Sequence, residues 1–208
     1  LELIVWPESS WPTHIASHQK REELGSHSAP ILFGALSYEP GPQRKFYNAA
    51  YWAEPDGLLT ERYDKRHLVP FGEYVPMRSV LPVGKLVPNI MDLTPGESDA
   101  PIGDGQAGVL ICYDGVFPDL ARRSVLEGAK YLANLTNDGW YGVSSGPYQH
   151  LEFYQLRAVE TRLWVIRAAN TGVSAFISPS GAITATLTEP LDVVRTRLMA
   201  QRRAGDAA

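Results

Sequence analysis

The segment from residue 107 to residue 137 constrains the fold more than any other part of the chain. It starts with the apolar run AGVLICYD (107–114), continues with PDLARRSVLEGAKY (118–131) and ends with YLANLTN (131–137). A continuous apolar run is typical of a strand buried on both faces, and the amphipathic stretch that follows opens with a proline, as many helices do. The segment therefore predicts a strand, a helix and another strand in succession.

The remainder of the chain repeats this alternation. The patterns predict strands at 2–6 and 30–39, and a strand and a turn at 45–57 with Asn48 and Pro55-Asp56-Gly57 as turn signals. They also predict a strand from 58 that passes into a loop at Lys65, helices at 11–24 and 146–164, and two strands within 165–183 joined at Asn170-Thr171-Gly172. Residues 77–105 are rich in proline and glycine and are expected to form a loop with one short helix. This order of elements indicates an α/β fold or an α-β-β-α layered fold.

Composition limits the possible functions. The chain has 208 residues, enough for one domain with a substantial core, and its formal net charge of -4 argues against a nucleic-acid partner. No apolar run approaches the length of a membrane span. No Cys/His grouping has the spacing of metal ligands, so neither a metal nor a cofactor is expected.

Cys112 is the single cysteine, and it lies where the predicted strand meets a turn. A free cysteine is often simply buried in a core, but functional sites in α/β sheets gather at the carboxyl ends of strands. A nucleophilic thiol also needs a base. None of the histidines that could serve has a strand-end context: His14, His18, His27, His67 and His150.

Glu8 and Lys65 do have that context, since each follows a predicted strand. Each could equally be a solvated surface group, which is the commoner fate of a lysine. If the strand ends converge, however, a carboxylate, an ammonium and the thiol of Cys112 share one pocket. The carboxylate could then accept the thiol proton, and the ammonium could face the oxyanion of a tetrahedral intermediate.

Four motifs carry a resemblance to a known family: LIVWPES, YDKRHLVPFGEYVP, GVLICYDGVFPDLAR and NLTNDGWYG. Together they resemble the nitrilase (carbon–nitrogen hydrolase) superfamily, and over residues 3 to 186 they are similar to its apolipoprotein N-acyltransferase branch. The resemblance implies a nitrilase-like α-β-β-α sandwich at 1–186 that lacks the first strand and helix of the family fold. It also implies a piece of a longer protein, with a divergent and disordered tail at 187–208.

The resemblance further implies acyl transfer in two steps, with Glu8, Lys65 and Cys112 as the catalytic residues. Cys112 would take a fatty acyl chain from a phospholipid as a thioester, and the N-terminal amine of a diacylglyceryl-cysteine apolipoprotein would then receive it. Glu8 would be the general base, and Lys65 would stabilise the oxyanion. The expected location is the bacterial inner membrane, reached through segments absent from this chain, with the catalytic domain facing the periplasm.

Five further residues receive auxiliary or substrate-binding roles from the resemblance: Glu73, Tyr113, Asp114, Trp140 and Tyr141. Glu73 is expected to orient Lys65 or the incoming amine. The backbone N–H of Tyr113 is a second expected donor to the oxyanion. Asp114 stands where the family usually has a glutamate, and Trp140 and Tyr141 are expected at an apolar entrance for the acyl chain.

Two other functions remain open on the residues alone. One is a nitrilase-type amidase, in which water replaces the amine and a small amide is hydrolysed. The other is a catalytically inactive fragment that acts only as a folded or associating module. Replacement of Cys112 by alanine separates both enzymes from the inactive module.

Overall fold

Two five-stranded sheets form the framework of the protein. The computed structural model describes residues 2–19, 24–77 and 91–187. The first sheet contains β1 (Ile4–Val5), β2 (Ile15–Ala16), β3 (Ile31–Glu39), β4 (Lys45–Ala53) and β5 (Leu59–Asp64). The second contains β6 (Ala107–Ile111), β7 (Tyr131–Thr136), β8 (Val165–Ala169), β9 (Ser174–Ile177) and β10 (Ile183–Leu187). Helix α1 (Pro118–Leu126) joins β6 to β7, and α2 (Gly146–Thr161) joins β7 to β8.

The second sheet follows from the apolar runs that the sequence displays. Strands β6, β7 and β8 run parallel, β9 and β10 run antiparallel, and the order across the sheet is β10-β9-β8-β7-β6. Parallel strands need a crossover helix between them, and α1 and α2 supply it. One face of β6 packs on these helices, with Leu110 against the cluster that contains Leu120 and Tyr154.

The opposite face of the second sheet packs on the first sheet. Val109 and Ile111 of β6 belong to one buried cluster with Leu32 of β3 and Trp52 of β4. The layers are therefore helices, sheet and sheet, which confirms the predicted nitrilase-like α/β class. On the far face of the first sheet, the described residues form an apolar cluster around Phe33 but contribute no helix.

The predicted helix at 11–24 is wrong over the part that the structure describes. Residues 11–19 bend and then form β2, in which Ile15 pairs with Ser37 and Ala16 with Tyr38 of β3. These two apolar residues are the buried ones in this stretch, and the adjacent edge of β3 satisfies their backbone groups. Tertiary pairing thus overrides a local pattern that resembled a helix.

The strand predicted at 107–114 ends earlier, at Ile111. Cys112 begins a 3-10 helical turn that extends to Val116. The carboxylate of Asp114 causes the turn, because it accepts a hydrogen bond from the Ile111 N–H at 3.1 Å and another from the His67 N–H at 2.8 Å. The first of these bonds curls the chain back on the end of β6.

The other differences concern the ends of elements. Helices α1 and α2 stop at Leu126 and Thr161, before the predicted limits at 131 and 164. Left-handed backbone at Gly128 and Arg162 terminates them. Strand β10 was not predicted, because its residues are mostly exposed. Much of the predicted loop at 77–105 and nearly all of the tail at 187–208 lie outside the described residues.

Candidate active site

The ends of three strands meet at one cavity. Glu8 follows β1, Lys65 follows β5 and Cys112 follows β6, and all three line a cavity of about 440 Å³. This volume lies within the range of about 300–1,000 Å³ that is usual for small-molecule sites. All three side chains are buried. The structure therefore brings together the residues that the sequence selected from separate motifs.

Lys65 lies between two carboxylates. Its Nζ is 2.8 Å from Oε1 of Glu73 and 3.8 Å from Oε1 of Glu8. Asn48, in the middle of β4, links the same two acids, since its Nδ2 donates to Glu8 at 2.7 Å and to Glu73 at 2.9 Å. Glu73 also accepts a hydrogen bond from the Val69 N–H at 2.8 Å. Glu73 thus contacts Lys65, the first of its two expected partners.

The position of Glu8 is fixed from both sheets. Its Oε2 accepts a hydrogen bond from the Asn137 N–H at 2.8 Å, just after β7. On the other side, Gly34 of β3 passes directly against the Glu8 backbone. A Cβ at position 34 would lie 2.6 Å from Cα of Glu8 and 2.7 Å from the carbonyl oxygen of Pro7. Only a glycine allows β3 to approach this closely.

Replacement of Gly34 by alanine is expected to lower the free energy of unfolding by about 1–3 kcal/mol, because overpacked sites cost that much. Chemical denaturation of the two proteins measures the change. Gly41→Ala is the matched control, since nothing lies within 4 Å of a Cβ at that position. Equal unfolding midpoints for the two variants would contradict the close contact between β3 and Glu8.

Burial is the largest single influence on the pKa of each of the three groups, but it sets the direction of the shift only for Glu8 and Cys112. It raises the pKa of Glu8 above its ordinary value, although the charge of Lys65 opposes this. For Lys65, burial alone would lower the pKa, but the carboxylates of Glu8 and Glu73 outweigh it and raise the pKa. Burial and then the charge of Glu8 raise the pKa of Cys112 to about 12. The resting site thus holds a thiol beside a charged Lys65, and the thiol needs a base before it can react.

Cys112 itself adopts an unusual backbone conformation. Its φ is 46°, in the left-handed region that residues other than glycine rarely enter. Such strain is concentrated at functional sites, where the surrounding structure must hold it. The residue that starts the turn after β6 is therefore both buried and conformationally strained.

The auxiliary residues divide between the cavity and its support. Tyr113, Trp140 and Tyr141 line the cavity, and the Trp140 side chain is 79% exposed at its edge. Asp114 does not line the cavity; it is fully buried, and burial raises its pKa to about 7. Its described contacts are the hydrogen bonds that shape the turn, so the structure places it in a supporting position.

Asn48 and a buried polar cluster were missed from the sequence. The pattern at 45–57 predicts a turn signal at Asn48, whereas Asn48 lies inside β4 and contacts both acids. A polar residue within the apolar run of a strand is the signal that could have identified it. The cluster lies behind Cys112 and consists of Asn134, Asp138, His150, Tyr154 and Arg167. No local pattern in the sequence joins these residues.

Among residues 2–19, 24–77 and 91–187, no group of three or more His, Cys, Asp or Glu side chains is arranged to hold a metal ion. In the same ranges, neither helix has the length and apolarity that a membrane crossing requires.

Solved structures share the fold at low sequence identity. Saccharomyces cerevisiae Nit3, a member of branch 10 of the nitrilase superfamily, superposes with a TM-score of 0.66 at 22% identity, covering 98% of this chain and 80% of that one. A mutant amidase from Nesterenkonia sp. AN1, with an acetamide moiety added covalently at its active-site cysteine, gives a TM-score of 0.55 at 22% identity, covering 85% and 67%.

Curated relatives are more similar in sequence. The apolipoprotein N-acyltransferase of Geobacter metallireducens is 42% identical over 191 residues, and that of Rhodopseudomonas palustris is 37% identical over 207 residues. These matches cover 88% and 90% of this chain but only 37% of each relative, so the chain spans little more than a third of their length. A model of the carbon-nitrogen hydrolase family matches residues 1–198, and the chain therefore belongs to that family.

Proposed function

We propose that this chain carries the catalytic site of a fatty acyl transfer from a phospholipid to the N-terminal amine of a diacylglyceryl-cysteine apolipoprotein. The observation that carries the proposal is one cavity that holds Cys112, Glu8 and Lys65 together. The similarity to proteins named apolipoprotein N-acyltransferase supports the choice of substrates. The same similarity underlies the proposed setting, the periplasmic side of a bacterial inner membrane.

The first step forms the thioester. Glu8 takes the proton of the Cys112 thiol as the sulfur attacks the ester carbonyl carbon of the phospholipid. The carbonyl oxygen becomes an oxyanion that the ammonium of Lys65 and the N–H of Tyr113 stabilise. When the intermediate collapses, the bond to the glyceryl oxygen breaks, and that oxygen takes the proton from Glu8.

The second step transfers the acyl chain to nitrogen. The acceptor amine attacks the thioester carbonyl carbon, and Glu8 accepts a proton from the amine. The carbon–sulfur bond then breaks, an amide forms, and the Cys112 sulfur recovers a proton from Glu8. The acid thus serves as base and as acid in turn, which suits a carboxyl group whose pKa burial raises.

The walls of the cavity support an apolar substrate. Besides the polar groups that contact Lys65, its lining includes six apolar or aromatic side chains: Leu36, Val69, Met91, Leu93, Trp140 and Tyr141. Met91 and Trp140 are also partly or largely exposed. An apolar wall that continues into an exposed tryptophan would accept an acyl chain more readily than a small polar amide.

The test is intact-protein mass spectrometry after incubation with phospholipid vesicles. We expect a fatty-acyl mass increase that hydroxylamine removes and that Cys112→Ala lacks. Addition of a diacylglyceryl-cysteine peptide should discharge the adduct and produce an acylated peptide. A reactive Cys112 without any adduct would contradict the proposal, and release of the adduct to water in preference to the peptide would favour an amidase.

A further inference from the structure

The carbonyl oxygen of Cys112 is directed into the buried polar cluster behind the cavity. The hydroxyl of Tyr154 donates to it at 2.6 Å, and Nε2 of His150 lies 3.1 Å from it. Because a carbonyl oxygen only accepts hydrogen bonds, Nε2 carries the hydrogen of this second bond. Two side chains of α2 therefore hold the peptide group that connects Cys112 to Tyr113.

The two donors are themselves fixed by buried partners. Nδ1 of His150 lies 2.8 Å from Oδ1 of Asp138, and Arg167 donates to Oδ2 of the same carboxylate at 2.5 Å. The amide of Asn134 donates to the Tyr154 hydroxyl at 2.7 Å. Every member of the cluster is buried. A fully connected network of this kind allows little freedom to the groups it holds.

Close packing brings Tyr154 to the peptide. Gly115 lies in the same turn as Cys112, and a Cβ on it would collide with the Tyr154 ring and hydroxyl. The absence of a side chain at Gly115 lets the ring reach the Cys112 carbonyl oxygen. The turn and the helix thus fit each other at the point where the two hydrogen bonds form.

The direction of the carbonyl group determines the direction of the neighbouring N–H. No cis peptide bond occurs among the described residues, and in a trans peptide the C=O and the following N–H point to opposite sides. With the Cys112 carbonyl directed into the cluster, the Tyr113 N–H is directed away from it. Cys112 and Tyr113 both line the cavity, whereas His150 and Tyr154 do not.

The Tyr113 N–H also has no partner within its own turn, because the first N–H groups of a helical segment have none. Hydrogen bonds to a carbonyl oxygen polarise its peptide group and strengthen the N–H as a donor. We propose that His150 and Tyr154 are positioning residues that hold the Cys112–Tyr113 peptide so that the Tyr113 N–H stabilises the oxyanion formed at Cys112. The inference rests on the proposed acyl chemistry and extends it to residues that never contact the substrate.

The test compares two reactions of the same thiol. Acylation by a p-nitrophenyl ester passes through an oxyanion, whereas alkylation by iodoacetamide forms the sulfur–carbon bond as iodide leaves and produces no oxyanion. Tyr154→Phe and His150→Gln should each slow acylation, and the double variant should lose about 10²–10³-fold, the usual effect of one oxyanion donor. Alkylation should keep the rate of the native protein in all three variants.

The matched controls are Tyr148→Phe and His18→Gln, at exposed positions, and both should react as the native protein does. Equal losses in acylation and alkylation would show a purely structural role and overturn the inference. Unchanged acylation in the double variant would also overturn it. If the native protein is alkylated but never acylated, the proposed function itself fails, and this result is distinct from the other two.

Discussion

Replacement of Glu8 by glutamine is expected to slow the acylation of Cys112 by about 10²–10⁴-fold at neutral pH, the usual contribution of a general base. Glutamine has nearly the same shape, and its carbonyl oxygen could keep the hydrogen bond from Asn48 or from the Asn137 N–H. It lacks the ability to accept a proton. Because the pKa of Cys112 stands at about 12, almost no thiolate exists at neutral pH without that base.

The rate is measured as the release of p-nitrophenol from an activated ester under single-turnover conditions. Glu152→Gln provides the matched control, since Glu152 is an exposed residue of α2 that does not line the cavity. We expect the control to retain the native rate. If Glu8→Gln is acylated as fast as the control, another group accepts the thiol proton.

The dependence on pH gives an independent signature of the same role. Burial raises the pKa of Glu8, so its basic form is present only above that raised value. Acylation of the native protein should therefore decline as the pH falls through the raised pKa. In Glu8→Gln the inflection at the pKa of Glu8 should disappear. The much lower residual rate should instead rise continuously with pH across the neutral range, as the Cys112 thiol ionises without a base.

The site was predictable where chemistry coincides with a local pattern. Glu8, Lys65 and Cys112 each follow an apolar strand, and this context selected them as candidates. It left open a surface acid, a solvated lysine and a core cysteine, and the family resemblance supplied their expected roles. Convergence of strand ends is a property of the sheet and not of any motif. The motifs therefore predicted candidate residues that the structure places at one cavity, whereas the distances between Lys65 and its two carboxylates required the structure.

What the sequence did not reveal depends on contacts between distant segments. Strand β2 exists because the edge of β3 is available, and the strand before Cys112 ends at Ile111 because Asp114 binds backbone groups from two segments. His150 has no strand-end context to single it out, and its partners are 12 and 38 residues away in the chain. Such pairings leave no trace in local periodicity.

Replacement of Arg167 by methionine is expected to lower the free energy of unfolding by about 3–5 kcal/mol at neutral pH, the usual cost of removing one partner of a buried ion pair. Arg167 is fully buried and donates to Asp138, to Oδ1 of Asn134 at 2.5 Å and to the Val173 carbonyl oxygen at 3.1 Å. Methionine fills much of the same space but removes the guanidinium from the Asp138 carboxylate, which keeps only its contacts with His150 and Thr136 among those described.

The loss of unfolding free energy in Arg167→Met should become smaller as the pH falls. Burial alone would raise the pKa of Asp138, but the hydrogen bond with His150 and the charge of Arg167 outweigh it and lower the pKa. Asp138 thus stabilises the native protein at neutral pH, and this contribution disappears as the pH falls through the lowered pKa. Without Arg167 the carboxyl group protonates at higher pH, so the difference between variant and native protein should narrow on acidification.

Urea unfolding at neutral and at acid pH measures both effects, with Arg162→Met as the control because Arg162 is exposed at the end of α2. The double variant Arg167→Met/Asp138→Asn should lose less unfolding free energy than the two single variants lose in sum, since it also removes the carboxylate that Arg167 pairs with. A loss no larger than that of the control would mean that the Asp138 carboxylate is satisfied without Arg167. The network that holds His150 against the Cys112 carbonyl would then depend on Asp138 alone.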